Sequence, residues 1–392
     1  MTSDIWGKGP VVKHSRHARL ARVVLAVAPV ALVGSLALTA CGSDDNSTGD
    51  SAAAATGGSG AGSGVSGTLK GEGSSAQKNA IDQVIAGFQE ANRDATVEYN
   101  PTGSGAGVSQ FIAGQVDFAG SDSPLKSETQ DGVIQTDAAK QRCGGNDAWN
   151  LPMVAGPIAI AYHLPGVDTL VLTPEVAAKI FLGTITTWND PAIAALNSGA
   201  TLPGTAIKVF FRSDESGTTE NFEKYLAATA PEVFTAEPSK QWAGSVGEGR
   251  EKSSGVAEGT KTTEGGITYV EWSYATSNGL GVAQIDNGGG PVALTGESAG
   301  KAVAVAEIEG TGNDLRLKLD YATGEAGVYP IVLVTYEIVC SKGLDAAETA
   351  LLKSFLKSFS DTATQAELES IGYAPLPEEI RAKVAAAVDA IS

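Results

Sequence analysis

Histidine and cysteine are scarce in this chain of 392 residues, which holds three of each. His14 and His17 lie in a basic N-terminal stretch, so beyond it only His163 remains. A zinc site built on two or three imidazoles is therefore excluded, and a Ser-His-Asp constellation has a single candidate base. No metal and no cofactor are expected. Positive charge is short as well: Lys and Arg number 27 against 45 Asp and Glu, a net charge of −18. The chain lacks the basic surplus that neutralises nucleic-acid phosphates, so nucleic acid is not an expected partner. On net charge alone a small anion should be repelled too. There is no G-x-x-x-x-G-K-[ST] nucleotide loop. The apolar run from Val23 to Leu38 is short for a transmembrane helix and is interrupted by Pro29 and Gly34. What the chain has in surplus is glycine, 48 residues, well above the usual share of about 7%. Apolar residues make up 42%, enough for a globular core and, at this length, for two domains.

The N-terminus reads as an address. Lys8, Lys13, Arg16, Arg19 and Arg22 precede the apolar run, with Asp4 the one acid. The run ends in Leu38-Thr39-Ala40-Cys41, which resembles a bacterial lipobox. Cleavage would fall before Cys41, making residues 1–40 a lipoprotein signal peptide and Cys41 the lipidated residue. The leader carries five positive charges and one negative, so removing its +4 takes the chain from −18 to −22. Residues 41–67 are mostly Gly, Ser, Ala, Thr, Asp and Asn, with Val65 the only sizeable apolar side chain. They cannot bury enough surface to offset chain entropy and are expected as a flexible tether. Outside the cytoplasm Cys143 and Cys340 form an even pair, expected as one disulfide, with two buried thiols the alternative. Closing a loop of about 200 residues would stabilise by roughly 4–5 kcal/mol in loop-closure theory.

From Thr68 onward, β-like runs alternate with helical patterns. Strands are expected at Thr96–Tyr99, Val116–Ala119, Pro157–Tyr162, Ile207–Phe211, Ile267–Ser273 and Ile331–Val339. Ile81, Val84, Ile85 and Phe88 form one helical stripe, and Leu351, Leu352, Phe355, Leu356 and Phe359 another. The alternation argues an α/β architecture with largely parallel sheets. Gly244–Gly266, rich in Gly, Ser, Glu and Lys, is expected to be loop-heavy.

The informative feature is a trio of helix starts that couple Gly to hydroxyls. Gly71-Glu72-Gly73-Ser74-Ser75 precedes the helix carrying Ile81 and Phe88. Thr102-Gly103-Ser104-Gly105-Ala106-Gly107 precedes a short helix with Val108 and Phe111. Arg212-Ser213-Asp214-Glu215-Ser216-Gly217-Thr218 precedes one with Phe222 and Tyr225. The first turn of a helix presents unpaired N–H groups and a partial positive charge, and glycine admits close approach, so such termini suit phosphate, sulfate or carboxylate. Ser and Thr are also ordinary N-caps. Arg212 adds a planar cation suited to oxyanions, and Asp214 could hold it in place. Asp122 lies in Asp117-Phe118-Ala119-Gly120-Ser121-Asp122-Ser123-Pro124. Ser123, just before Pro124, is the better-placed cap for a following helix, which frees Asp122. A carboxylate facing an anion is tolerated if the anion carries a proton. Phosphate keeps at least one near neutral pH and sulfate keeps none, so Asp122 would discriminate between them.

These stretches resemble the phosphate-binding lipoproteins of phosphate ABC transporters, the PstS family. Phe181-Leu182-Gly183-Thr184-Ile185-Thr186-Thr187-Trp188-Asn189-Asp190 and Gly266-Ile267-Thr268-Tyr269-Val270-Glu271 support the likeness. The resemblance implies a type II periplasmic-binding-protein fold: two α/β lobes, a hinge and a central ligand cleft. It implies phosphate contacts from Ser75, the backbone of Ala76, Ser104 and Asp122 on one lobe. From the other lobe it implies Arg212, Ser216, Gly217 and Thr218, with Asp214 orienting Arg212. Ala76 stands where a large aromatic is common in the family. Lobe one is expected as residues 68–152 plus 329–392 and lobe two as 153–328, with crossings near Pro152 and Tyr329-Pro330. The function implied is capture of inorganic phosphate at the extracytoplasmic face of the cell membrane, by a lipid-anchored protein that is not an enzyme, and delivery to permease subunits. The rivals are a hydrolase or phosphoesterase using Ser75, Ser104 or Ser216, and a receptor for sulfate or another oxyanion. The hydrolase would need His163, which lies inside an apolar strand pattern.

Overall fold

The computed structural model describes residues 64–130 and 132–392. The expected signal peptide, the expected lipidation site Cys41 and nearly all of the expected tether lie outside the described residues. Nine strands form one sheet: β1 (Gly67–Gly73), β2 (Ala95–Asn100), β3 (Phe118–Ser121), β4 (Ala148–His163), β5 (Lys208–Arg212), β6 (Glu248–Arg250), β7 (Gly266–Glu271), β8 (Gly281–Val282) and β9 (Val332–Cys340). The helices that build the cores and the site are α1 (Lys78–Ala91), α2 (Ser104–Ile112), α3 (Gln135–Arg142), α4 (Gly217–Thr229), α5 (Lys252–Lys261), α6 (Trp272–Ser277), α7 (Gly296–Ala304) and α8 (Ala346–Ser360).

Strand order is β2-β1-β3-β9-β4-β7-β5-β6, with β8 also on β4. The outer parts are parallel, as expected: β1 with β2 and β3, and β5 with β7 and β6. The middle is not. β9 runs antiparallel to β3 and β4, and β4 antiparallel to β7, so the sheet is mixed rather than largely parallel. The cause is β4, which serves both halves. Ala148–Pro157 pairs with β9 and Ile158–His163 with β7. Nearly all of it is buried, so it shows no alternation. Pro152 falls at a bulge, where Val154 lies opposite Thr335 and Pro152 opposite Tyr336. The leftover residue accommodates a proline that cannot donate to the ladder.

Two hydrophobic cores flank this strand. One gathers Phe88, Phe111, Phe118, Phe355 and Phe359, with Phe88 and Phe355 edge to face at 5.5 Å. The other gathers Tyr162, Trp188, Phe222, Tyr225 and Tyr269. The stripes of α1 and α8 point into the first core, as their spacing predicts. Leu151 to Ala155 belong to the first core and Ile158 to Tyr162 to the second. The change therefore falls across Gly156-Pro157, beyond Pro152. Ala299, Ala302 and Val303 of α7 and, beyond it, Leu315, Leu317 and Val328 pack into the first core, while Tyr329, Ile331 and Leu333 pack into the second and Tyr321 against it. Cys143, at the end of α3, and Cys340 are joined as a disulfide with Cα atoms 5.4 Å apart. Gly244–Gly266 holds β6 and all of α5 and so is more ordered than its composition suggests. Trp272 and Ser273 open α6 instead of extending β7.

Candidate anion-binding site

The three hydroxyl-bearing helix starts come together at the ends of β1, β3 and β5. Gly73 ends β1 with φ 143°, and a Cβ there would lie 2.0 Å from the Gly120 carbonyl oxygen, so only glycine fits. Ser74 N–H donates to that carbonyl at 2.8 Å. α2 starts at Ser104, whose Oγ accepts from the Asp122 N–H at 3.1 Å. Ser216 caps α4, its Oγ accepting from Thr219 N–H at 3.2 Å. The next residue, Gly217, sits so close that a Cβ would come within 2.6 Å of Asp122 Cβ and 2.7 Å of Ser104 Oγ. The α4 terminus thus lies directly against Asp122 and Ser104.

Asp122 is 3% exposed. Its Oδ1 accepts from Thr335 Oγ1 at 2.8 Å and its Oδ2 from Thr218 Oγ1 at 3.2 Å. Burial raises its pKa above the ordinary value, against the hydrogen bonds of Ser74, Thr335 and Thr218 and the charge of Arg212. Arg212, at the end of β5, is equally hidden. Its Nε donates to Asp214 Oδ1 at 2.7 Å, its Nη2 to Oδ2, and its Nη1 to Ser253 Oγ at 3.4 Å. Burial alone would raise Asp214, but the fork of Arg212 and the Lys252 N–H outweigh it and hold the carboxyl below its usual range. Arg212 is a cation whose orientation is fixed by its neighbour.

Ser75 and Ala76 stand in the loop before α1. The Ser75 Oγ meets the Ser253 Oγ at 3.1 Å, and the Ala76 N–H donates to Ser74 Oγ at 3.1 Å. Ala76 packs in the second core although it follows the first strand. The Ser123 expectation fails: no helix follows Pro124, the next beginning at Gln135. The Ser123 hydroxyl instead reaches Glu220 Oε2 at 2.7 Å.

Residue-by-residue reading missed two groups. Thr335, deep in β9, carries no local signal. Ser253 lies in Lys252-Ser253-Ser254-Gly255, a fourth pairing of hydroxyl and Gly at a helix start, passed over because its surroundings read as loop. Lys252 has φ 65°, the one non-glycine positive φ among the described residues, and this turn aims its N–H at Asp214 Oδ1, 2.9 Å away. Such a conformation costs about 1–3 kcal/mol and is typical of functional loops. The hydroxyls, helix termini and guanidinium form a local donor set that is independent of the chain's acidic total.

A profile described as a PBP superfamily domain matches residues 58–362. Phosphate-binding protein PstS 3 of Mycobacterium tuberculosis (strain ATCC 25618 / H37Rv) is 46% identical over 367 residues, which is 93% of this chain and 97% of that protein. The chain belongs to the PstS family. Phosphate-binding protein PstS 2 of the same strain is 47% identical over 363 residues, covering 92% of this chain and 96% of its own. Among solved structures, a high-affinity periplasmic phosphate-binding protein bound with phosphate aligns with TM-score 0.66 at 21% identity, over 82% of this chain and 93% of that one. The likeness is one of fold and places this PstS chain in the bilobed α/β class. The hydroxyls named by the hydrolase reading are bonded within the site. Ser75 meets Ser253, Ser104 meets the Asp122 amide, and Ser216 meets the Thr219 amide.

Proposed function

We propose that this chain binds inorganic phosphate outside the cytoplasm and hands it to the permease of an ABC transporter for import. The observation that carries the reading is family membership at 46–47% identity over nearly the full length, joined to a site that buries Arg212, ion-paired to Asp214, within reach of Asp122's charge. Ser75, the Ala76 backbone, Ser104 and Asp122 contact the ligand from the first lobe. Arg212, Ser216, Gly217 and Thr218 contact it from the second, and Asp214 orients Arg212. The lobes meet at a hinge formed by β4 and the approach to β9. Asp122 accepts the proton that phosphate keeps, which gives selectivity over sulfate. The protein acts as a receptor and not an enzyme. Lipid on Cys41 holds it at the extracytoplasmic membrane face once residues 1–40 are removed, and residues 41–67 give it reach. No helix among the described residues is long and apolar enough to cross a membrane. Titration calorimetry with phosphate and sulfate, beside an assay on a phosphomonoester, tests the reading. Phosphate binding without turnover supports it, and turnover abolished by Ser216→Ala overturns it.

A further inference from the structure

The segment Asp122–Lys126 carries the site carboxylate at one end and a lysine at the other. The start of α4 grips it along its length. Thr218 Oγ1 donates to Asp122 Oδ2 at 3.2 Å, and Asn221 Nδ2 donates to the Asp122 carbonyl at 2.7 Å. Ser123 Oγ donates to Glu220 Oε2 at 2.7 Å, and Lys126 Nζ pairs with Glu220 Oε1. Glu220 also pairs with Lys224 on its own helix at 2.9 Å and with Lys240 at 3.6 Å. Its side chain is 1% exposed. Burial alone would favour the neutral acid, but Lys224, Lys240 and Lys126 outweigh it and keep the carboxyl well below its usual range. One ionised, hidden carboxylate thus anchors three lysines, and one of the three comes from across the cleft.

We propose that Glu220 is a closure latch. It is a positioning residue that does not touch the ligand, and it holds the Asp122–Lys126 segment against α4 when the cleft is shut. The inference rests on the phosphate reading, since Asp122, Arg212 and Ser216 are at most 3% exposed and a ligand reaches them only when the lobes part. Parting strips Ser123 and Lys126 from Glu220 but leaves Lys224 and Lys240, which belong to its own side. The carboxylate is therefore never left buried without a cation, the situation that makes broken ion pairs so costly. The same short helix start bears both ligand-facing groups, Ser216 to Thr218, and latch groups, Glu220 and Asn221. Seating the latch therefore sets Thr218 in register with Asp122.

The test compares full-length wild type, Lys126→Met, Glu220→Gln and the double variant. Lys126→Met leaves Glu220 paired with two lysines, so it keeps the fold even if Glu220→Gln does not. Stopped-flow measurement should show phosphate release faster by about ten-fold in Lys126→Met, with the association rate within roughly two-fold of wild type. The double variant should release no faster than Glu220→Gln alone. A merely structural role would lower the unfolding temperature of the phosphate-free protein and leave release unchanged. Wild type that binds phosphate, with release unchanged in both single variants, overturns the latch alone. Wild type that binds no phosphate overturns the functional reading, and the latch with it.

Discussion

Ser75 and Ser253, 178 positions apart in the chain, share a hydroxyl hydrogen bond of 3.1 Å. Ser253 also donates its N–H to Ser75 Oγ at 3.0 Å and accepts from Arg212 Nη1 at 3.4 Å. One serine therefore links the loop after β1 to the guanidinium at the end of β5. Ser253→Ala should weaken phosphate binding about ten-fold, the scale of one hydrogen bond to a charged group. Calorimetry giving wild-type affinity would remove Ser253 from the site.

Asp122→Asn keeps the shape of the side chain and adds a donor where, in the proposed binding mode, the proton of phosphate would point. Phosphate affinity should fall by about ten-fold or more, and the ratio of phosphate to sulfate affinity should narrow, because a site built to pair one group rejects its analogue through the partner left unpaired. Paired titrations measure both. An unchanged ratio would refute the role given to Asp122.

Arg212→Lys replaces a planar fork with a point charge, and Asp214→Asn loosens the fork without removing it. Binding should weaken by about 100-fold in the first and about ten-fold in the second. The pH dependence has a definite sign. Asp214 is held below its usual range by Arg212 and Lys252 despite burial, so the stability it lends is present above roughly pH 4 and is lost as pH falls toward the lower folded value. Acid unfolding curves of Asp214→Asn should lose that component.

Glu337, fully buried in β9, behaves in the opposite sense. Burial, helped by the nearby charge of Asp122, pushes its pKa up to about 8. The unfolded chain ionises near pH 4–5 while the folded protein keeps the proton, so stability falls as pH rises from about 4.5 toward the folded value and then levels off. Glu337→Gln mimics the neutral acid. It should raise the unfolding temperature at pH 8 and leave it nearly unchanged at pH 4. Equal shifts at both values would show that Glu337 is not the titrating group.

Reducing the Cys143–Cys340 disulfide should cost about 2–5 kcal/mol of stability. Phosphate affinity should stay within about two-fold, since Cys340 lies about 16 Å along β9 from Thr335 at ~3.3 Å per residue. Denaturant unfolding with and without reductant, beside calorimetry, checks both.

Local patterns carried much of this molecule. The stripes of α1 and α8 and the three helix starts were legible because each lies within one turn or one strand end, where residue type and conformation are coupled directly. What escaped depends on distant chain. β4 reads as a short strand, Pro157–Tyr162, because Pro152 looks like a break until the bulge between Thr335 and Tyr336 is seen. Thr335 gains its role only when β9 is set beside Asp122. Ser253 was hidden by composition, since Gly and Ser signal a loop unless a partner such as Arg212 gives them work. Ser123 shows the converse, a good capping sequence whose hydroxyl is taken by Glu220 of α4.

β9 has a consequence for how the protein is made. It lies between β3 and β4, although the chain reaches it only at Val332, long after both. The first core also needs Phe355 and Phe359 from α8. A nascent chain emerging from the ribosome holds β1 to β3 early but has a gap in its sheet until the last part is synthesised. Non-local pairings of this kind fold slowly and leave strand edges exposed meanwhile. The half that begins first is obliged to finish last, since its sheet and its core close only when the final part of the chain has been made.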